Sequence, residues 1–282
     1  MSKEIEAQVL FINYSDVMSL IKKMGGELKF DWVKFRIAVF SPCLTIDEQK
    51  EKYGMIYTRV RDEGKGVITI TTKVKPKSAD NKYATEYEIE SKNTFEECRD
   101  LLIANHLNMK SYQERLRQKW IIPSKPEIKE IVFDIWPGLP PYMEIEAKTE
   151  QDLLQFLSDL NIDKKNIRFA GASEFYKEIL GVSLDVINNH TPILDFKTVQ
   201  KSLNEHVSDE NKFNEIVENQ KLLLKQIKFE SLIGGKRKSK KNSKKNSKKN
   251  SKRKSKKYSK NNSKKNSKRN SKKNSKRILK DL

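Results

Sequence analysis

The sequence predicts an α+β fold: about eight strands in an antiparallel, closed or nearly closed sheet, with helices outside it and a disordered basic tail after it. Three observations lead to this prediction. Eight segments alternate apolar and polar residues with the period of a strand, and fewer segments have the period of a helix. A Lys/Asn/Ser repeat then fills the C-terminus. Because such a composition cannot bury a core, we expect residues 234–282 to be disordered.

The elements can be placed in chain order from these periods and from turn residues. The first half predicts, in order, strand 4–13, a helix beginning at Ser15 and ending at Gly25-Gly26, strand 29–40, a hairpin over 54–76 that turns at Gly64 and Gly66, strand 82–91, and a helix capped by Asn93 or Thr94. The second half predicts strands 110–122, 127–137 and 141–148, helix 149–162, short helices over 174–200 and a polar helix over 204–232.

Residues 1–200 are therefore expected to form one domain, followed by an amphipathic helical extension at 201–233 and the tail at 234–282. The apolar stripe of the extension favours two partners equally. It can pack on the domain, or it can pair with a second copy of the chain to give a homodimer. The sequence leaves this choice open.

The tail accounts for the basic charge of the chain. The formal net charge of the 282 residues is +20. Of the 58 Lys and Arg residues, 24 lie in 236–282 against one acid, Asp281, so residues 1–235 carry a formal charge of −3. A run of this kind neutralises phosphates without reading bases, which predicts salt-dependent contact with nucleic acid or polyphosphate. A solvated extension without a partner is the competing interpretation.

Composition also indicates the compartment and excludes some chemistry. The two cysteines, Cys43 and Cys98, form no disulfide framework, and the chain has neither a signal-peptide layout nor an apolar run that could span a membrane. We therefore expect an intracellular protein, cytoplasmic or, through its basic tail, nuclear, that is not secreted and has no membrane partner. The sequence contains no GxxxxGK[ST] loop, and its three histidines are scattered, which disfavours a zinc site.

Several predicted strands carry charge on one face only, because side chains i and i+2 point to the same side. The rows are Glu4/Glu6/Gln8, Arg59/Arg61, Lys73/Lys75, Glu86/Glu88/Glu90, Arg115/Arg117/Lys119 and Glu144/Glu146. For one strand, a solvated charged face is the simpler interpretation. Six rows together predict a polar channel, in which carboxylates must pair with cations. Acidic rows can hold Mg²⁺ or Mn²⁺ through oxygen, and basic rows can hold phosphates.

The motifs on these strands resemble those of a known family. They are EIEAQ at 4–8, YTRVR at 57–61, ITTKVKP at 70–76, EYEIE at 86–90, YQERLRQKW at 112–120 and FDIWPGLPPYMEIEA at 133–147. Their order and spacing resemble the CYTH family, the triphosphate tunnel metalloenzymes, which include class IV adenylyl cyclases and thiamine-triphosphatase-like or inorganic triphosphatases. The resemblance covers residues 1–200 and implies an eight-stranded antiparallel closed β-barrel that binds a triphosphate with a divalent metal.

The resemblance also implies roles for individual residues. The carboxylates expected to act in catalysis and to hold Mg²⁺ or Mn²⁺ are Glu4, Glu6, Glu144 and Glu146, with Asp134 and Glu88 as further metal candidates. The residues expected to hold substrate phosphates are Arg59, Arg61, Lys73, Arg115, Arg117 and Lys119. One position departs from the family motif ExExK, because Gln8 stands where the motif has lysine.

The sequence leaves three functions open. A class IV adenylyl cyclase-like enzyme would convert ATP to cyclic AMP and pyrophosphate when the ribose 3′-hydroxyl attacks the α-phosphate. A triphosphatase would hydrolyse inorganic, thiamine or RNA 5′ triphosphate with the same residues. A non-catalytic module would bind a nucleotide or polyphosphate without turnover, because the amide of Gln8 cannot neutralise a phosphate as the motif lysine does.

Overall fold

A computed structural model describes residues 5–42, 54–75 and 85–227, together with Glu48 and Glu51. The strands are β1 Ile5–Val9, β2 Glu27–Ser41, β3 Met55–Asp62, β4 Ile68–Lys75, β5 Thr85–Ser91, β6 Asn108–Ile121, β7 Ile128–Ile135, β8 Tyr142–Ala147, β9 Ile167–Arg168 and β10 Ile193–Leu194. The helices are α1 Tyr14–Lys23, α2 Phe95–Ala104, α3 Glu150–Asp159, α4 Ala172–Leu180, α5 Val199–Leu203 and α6, residues 210–227. Glu4 and the predicted disordered tail lie outside the described residues.

The ten strands form one sheet in the order β5-β4-β3-β2-β6-β7-β8-β1-β9, with β10 beside β6. All pairs along this path are antiparallel, and only the short pair of β10 with β6 is parallel. The α+β class, the large antiparallel sheet and the flanking helices predicted from the sequence are thus confirmed.

The sheet is open, however, so the prediction of a closed barrel is wrong. Within the described ranges, no strand pairs with the outer edge of β5, and β9 occupies the second edge of β1. The contact with β9 pairs Gln8 with Arg168 and Val9 with Ile167. Alternation along a strand predicts which side each residue faces, but not which sheet edges meet. A strand of two residues is too short to leave a periodic signal at all.

One face of the sheet is apolar and supports the helices. Its residues in β1, β7 and β8 are fully buried, among them Ala7, Phe133 and Ile145, and α3 packs over these strands. Farther along the sheet, Phe40 and Val60 pack against Phe95 and Cys98 of α2. Burial of these side chains provides the main driving force for sheet formation, and it commits the charged rows to the opposite face.

Capping residues fix where the helices begin. Asn13, rather than the predicted Ser15, is the N-cap of α1, because its side chain accepts hydrogen bonds from the backbone N–H groups of Ser15 and Asp16. Thr94 is confirmed as the N-cap of α2, where it forms a reciprocal capping box with Glu97. Among the described residues, no helix combines the length and the apolar composition that crossing a membrane requires.

The described residues fall into two units, divided between Glu218 and Asn219. The first contains a C-terminal core, formed by Tyr142 of β8, Phe175 and Tyr176 of α4, and Phe213 and Val217 of α6. The Tyr176 hydroxyl donates a 2.6 Å hydrogen bond to the carbonyl of Pro137, which anchors α4 to the turn before β8. Of the second unit, the structure describes residues 219–227, which are helical.

Candidate functional site

Eleven of the twelve predicted site residues lie on one face of the sheet, opposite the apolar one. Residues that are directly paired across antiparallel strands share a face. The register pairs Glu6 with Glu146, Gln8 with Glu144, and Arg117 with Asp134, and it continues through β2 to Arg61 and Arg59 of β3. We call this side the charged face; its predicted site residues are Glu6, Arg59, Arg61, Lys73, Glu88, Arg115, Arg117, Lys119, Asp134, Glu144 and Glu146. Glu4, the twelfth, lies outside the described residues.

Two largely buried arginines and a fully buried aspartate form an ion cluster on β6 and β7, which we call the β6 centre (Arg115, Arg117 and Asp134). Arg117 binds both oxygens of Asp134, through Nε to Oδ1 at 2.7 Å and through Nη2 to Oδ2 at 2.6 Å. Arg115 Nη1 donates to the same Oδ2 at 3.2 Å. Arg117 Nη2 also donates to Glu144 Oε1 at 3.2 Å, which joins the centre to β8.

Burial and charge act in opposite directions on the pKa values of the β6 centre. Burial would raise the pKa of Asp134, but the positive charges of Arg115 and Arg117 and the hydrogen bonds from Arg117 hold it below its ordinary value. Burial and the nearby charge of Arg117 lower the pKa of Arg115 to about 10, whereas Asp134 and Glu144 outweigh burial and raise the pKa of Arg117. All three groups are therefore charged at neutral pH.

A second group of charges lies on the hairpin and the edge strand, which we call the β3–β5 centre (Arg59, Arg61, Lys73, Glu86 and Glu88). Arg59 and Lys73 share Glu86, at 3.1 and 2.8 Å. Arg61 pairs with Glu88 at 3.1 Å and also with Glu63 at 2.7 Å. Each cation of this centre thus has a carboxylate partner, and these partners are partly exposed to solvent.

The two centres interact although β2 separates them in the sheet. Burial lowers the pKa of Arg61, and the positive charges of Arg59 and Arg117 lower it further. The charge of Arg61 in turn contributes to lowering the pKa of Asp134 on β7. Because of this coupling across β2, the charges on β3, β6 and β7 act on one another as parts of a single electrostatic surface.

Buried donors on the charged face lack hydrogen-bond partners, at least among the described residues. Three are guanidinium nitrogens, Nε of Arg59, Arg61 and Arg115, and one is the hydroxyl of Thr69, which lies opposite Arg61 on β4. Leaving a buried donor unsatisfied costs about 1–3 kcal/mol, and more for a charged group. An acceptor from outside the chain, an ordered water or an anion, would satisfy these donors on the charged face.

The acidic end of the charged face lies on β1 and β8. Gln8 donates to Glu6 at 3.3 Å through its amide nitrogen, and its amide oxygen accepts from the backbone N–H of Ala170 at 3.3 Å. Glu146 accepts a 2.5 Å hydrogen bond from Lys129. Within the described ranges, no group of three or more acidic, histidine or cysteine side chains is gathered in a geometry that could hold a metal ion.

The structure also adds residues that the sequence-based site omits. Glu86 and Glu130 each pair with a predicted phosphate-binding lysine, Lys73 and Lys119 respectively, and Thr71 donates a 2.6 Å hydrogen bond to Glu88. The turn at Gly64 and Gly66 sets the register of the hairpin, and this register places the threonines of the TITT segment opposite the arginines of β3. Thr71 could therefore have been predicted from the sequence. Glu130 has no such signal, because a register shift precedes it on β7.

No protein-family model and no curated protein matches the chain. Its structure is similar to that of a "putative adenylate cyclase" from Vibrio parahaemolyticus, at 12% identity and a TM-score of 0.48 over 62% of this chain and 98% of that one. It is also similar to the PH1012 protein from Pyrococcus horikoshii, at 17% identity and a TM-score of 0.46 over 58% of this chain and 94% of that one. A conserved hypothetical protein from Pyrococcus furiosus is similar at 13% identity and a TM-score of 0.45, over 58% of this chain and 94% of that one. None of these TM-scores reaches 0.5, so no function is transferred from these proteins to this chain.

Proposed function

We propose that the charged face binds the triphosphate group of a substrate and, with Mg²⁺ or Mn²⁺, supports its conversion. The observation that carries this proposal is the set of buried guanidinium donors without partners on Arg59, Arg61 and Arg115. Because the substrate must bring the missing acceptors, it must be an anion with several oxygens. The reaction we propose first is that of a class IV adenylyl cyclase, the conversion of ATP to cyclic AMP and pyrophosphate.

Guanidinium groups suit this task better than ammonium groups do. Each presents a planar fork of donors, remains charged, and is weakly hydrated, so it can bind two phosphoryl oxygens at once. In the cyclase reaction, negative charge develops on the pyrophosphate that leaves. The arginines of the β6 and β3–β5 centres lie on the same face of the sheet, on either side of β2, from where they would stabilise that charge together.

The carboxylates on β1 and β8 fit a hard divalent cation by their chemistry. Glu6 and Glu146 are direct cross-strand partners on the charged face, and Glu144 lies on the same face of β8. Oxygen donors of this kind are the ligands that Mg²⁺ and Mn²⁺ prefer. When bound, the ion would supply charge stabilisation at the phosphoryl oxygens and would lower the pKa of a nucleophilic hydroxyl or water.

The test is to incubate the full chain with Mn²⁺ and ATP, thiamine triphosphate or inorganic triphosphate, and to identify the products by chromatography. Cyclic AMP with pyrophosphate establishes the cyclase, and orthophosphate establishes a triphosphatase instead. A pair of variants controls for misfolding. Arg61→Gln removes a cation from the charged face and is expected to lower kcat/KM by about a hundredfold, whereas Arg36→Gln removes an ion-paired arginine from the opposite face and is expected to have little effect.

Specific observations also favour a second function, binding without turnover. Gln8 is neutral where a lysine would add a cation, and Glu144 and Glu146 already pair with Arg117 and Lys129. In this case, ATP or inorganic triphosphate binds with a measurable dissociation constant in calorimetry but yields no product with any divalent metal. Failure of every triphosphate to bind the full chain would contradict both functions.

A further inference from the structure

Asp134 differs from the other predicted metal-binding carboxylates in its surroundings. Its side chain is fully buried, and its two oxygens accept three hydrogen bonds from the β6 centre, two from Arg117 and one from Arg115. A carboxylate has about four lone-pair positions, of which three are occupied here. Tyr142, its cross-strand neighbour, is buried beside it against Phe175 of α4, at 5.0 Å between ring centres. A hydrated cation therefore has neither a free oxygen edge nor a solvent route to this carboxylate.

We propose that Asp134 is a positioning residue that holds Arg115 and Arg117 in place for the phosphates, and that it is not a ligand of the divalent metal. The inference deepens the proposed function and rests on it, since phosphate binding by the β6 centre is part of that proposal. It replaces the metal-binding role that the family resemblance implies for this residue.

The surroundings of Arg115 show what such positioning achieves. Its guanidinium carbon lies 5.1 Å from the ring centre of Phe35 and 6.0 Å from that of Trp136, so aromatic faces hold its plane. Asp134 fixes its Nη1, while its Nε remains buried without a partner among the described residues. Asp134 thus holds one end of the guanidinium, while the Nε–H group at its other edge has no acceptor among the described residues. A donor that is ordered before the ligand arrives binds it without a further entropic cost.

Glu144 provides the natural comparison within the same cluster. It accepts one hydrogen bond from Arg117, at 3.2 Å, and its side chain retains 19% of its solvent exposure. An oxygen that is open to solvent can bind a cation, whereas those of Asp134 are held by arginines. The two carboxylates are therefore expected to respond differently to the same neutralising substitution.

The experiment compares Asp134→Asn with Glu144→Gln in the full chain, using two calorimetric titrations. Mn²⁺ alone measures the metal site, and inorganic tripolyphosphate with excess chelator measures the phosphate site without metal. For Asp134→Asn we expect tripolyphosphate to bind at least about tenfold more weakly, since the variant loses the negative charge and its amide NH₂ cannot accept the hydrogen bonds that one carboxylate oxygen now accepts. We expect Mn²⁺ affinity to stay within about twofold. For Glu144→Gln we expect Mn²⁺ affinity to fall by about tenfold or more.

The direction in which tripolyphosphate affinity changes in Asp134→Asn distinguishes a positioning role from a purely electrostatic one. Removing a negative charge beside an anion site strengthens anion binding if charge alone matters, so tighter or unchanged tripolyphosphate binding by Asp134→Asn would overturn the proposal. A loss of Mn²⁺ affinity equal to that of Glu144→Gln would overturn it as well, because Asp134 would then be a ligand.

A second variant covers the case in which Asp134→Asn does not fold. Arg115→Lys keeps the positive charge but removes the fork that Asp134 orients, and it is expected to weaken tripolyphosphate binding by about tenfold with Mn²⁺ affinity unchanged. Wild-type affinity for tripolyphosphate in this variant would contradict the inference alone. If the unmodified chain itself does not bind tripolyphosphate, the proposed function fails and the inference fails with it.

Discussion

Gln8 on β1 is paired with both neighbouring strands, β8 and β9, and its side-chain amide forms hydrogen bonds through both its nitrogen and its oxygen. With only 4% of its surface exposed, it donates to Glu6 and accepts from the backbone N–H of Ala170. A lysine ammonium could donate to Glu6 but could not accept from Ala170. The residue thus links a predicted metal-binding carboxylate to the segment that follows β9, a link that the family motif does not imply.

Gln8→Lys is therefore expected to have two opposite effects. It adds a cation beside Glu6 and Glu144 on the charged face, which should raise the rate of tripolyphosphate hydrolysis. It also leaves the N–H of Ala170 without its acceptor, which should lower the free energy of unfolding by about 1 kcal/mol. Hydrolysis rates and urea unfolding measure the two effects. Gln8→Met is the control, since it loses the same acceptor without gaining charge; equal hydrolysis by both variants would contradict the prediction.

Individual residues show how far the sequence predicts the site. Alternation along each strand predicts that the arginines of β3 and β6 face the same side as the glutamates of β1 and β8, and the register confirms it. It does not predict which charges pair. The three hydrogen bonds of Asp134, for example, depend on how closely β6 and β7 bring their side chains together. Pairing is a property of strand order and curvature, which a single strand does not encode.

At the level of elements, the turn before β8 positions the acidic strand against the C-terminal core. Gly138 has a φ of +79°, and a Cβ at this position would lie 2.7 Å from the ring of Phe213. The turn closes through a 3.0 Å hydrogen bond from the N–H of Leu139 to the carbonyl of Trp136. Only a glycine provides both this backbone conformation and the space for α6.

We expect Gly138→Ala to lower the free energy of unfolding by more than about 2 kcal/mol, because it combines backbone strain with overpacking. Gly66→Ala is the matched control. Gly66 has a similar φ of +84°, but a Cβ there would meet nothing within 4 Å. Backbone strain alone is therefore expected to lower the free energy of unfolding of this variant, by about 1 kcal/mol. Urea unfolding of both variants measures the difference; equal destabilisation would show that Phe213 can move aside at little cost.

The predictions for elements succeed where local chemistry decides the outcome. The β3–β4 hairpin follows from Gly64 and Gly66, both with positive φ, and α2 follows from its capping box at Thr94. The predictions fail where the pairing of strands depends on a contact between segments that are distant in the sequence. The two-residue strand β9 pairs with β1, which is far away in the chain, and it leaves no period in the sequence. The closed barrel is the prediction that this contact overturns.

At the level of the whole molecule, charge divides the chain at Gly235. Residues 1–235 have a formal charge of −3, and residues 236–282 carry +23. In the proposed function, the charged face would bind an anion through specific donors on folded strands, whereas a Lys/Asn/Ser repeat would attract any polyanion. Two modes of anion binding are therefore expected in one chain, with different responses to ionic strength.

Deleting residues 236–282 tests this division. The truncated chain should convert or bind small triphosphates like the full chain, but its affinity for RNA or long polyphosphate should fall, most strongly at low salt. Filter binding between about 50 and 200 mM salt measures the slope of log affinity against log salt, which should become less steep without the tail. A full-length variant with the tail lysines changed to glutamine is the control for length. Equal slopes for the full and truncated chains would show that the tail adds no binding.

The carboxylate partners of the β3–β5 centre affect which anions this protein can retain. Without a ligand, Glu86 forms ion pairs with Arg59 and Lys73, and Glu88 forms one with Arg61. Apart from the Nε donors of Arg59 and Arg61, which have no partner among the described residues, an incoming anion must displace these carboxylates, and a lone orthophosphate gains little from such an exchange. A chain of linked phosphates displaces several carboxylates in a single event and loses its own freedom only once. Preference for long phosphates over short ones is thus expected before shape plays any part.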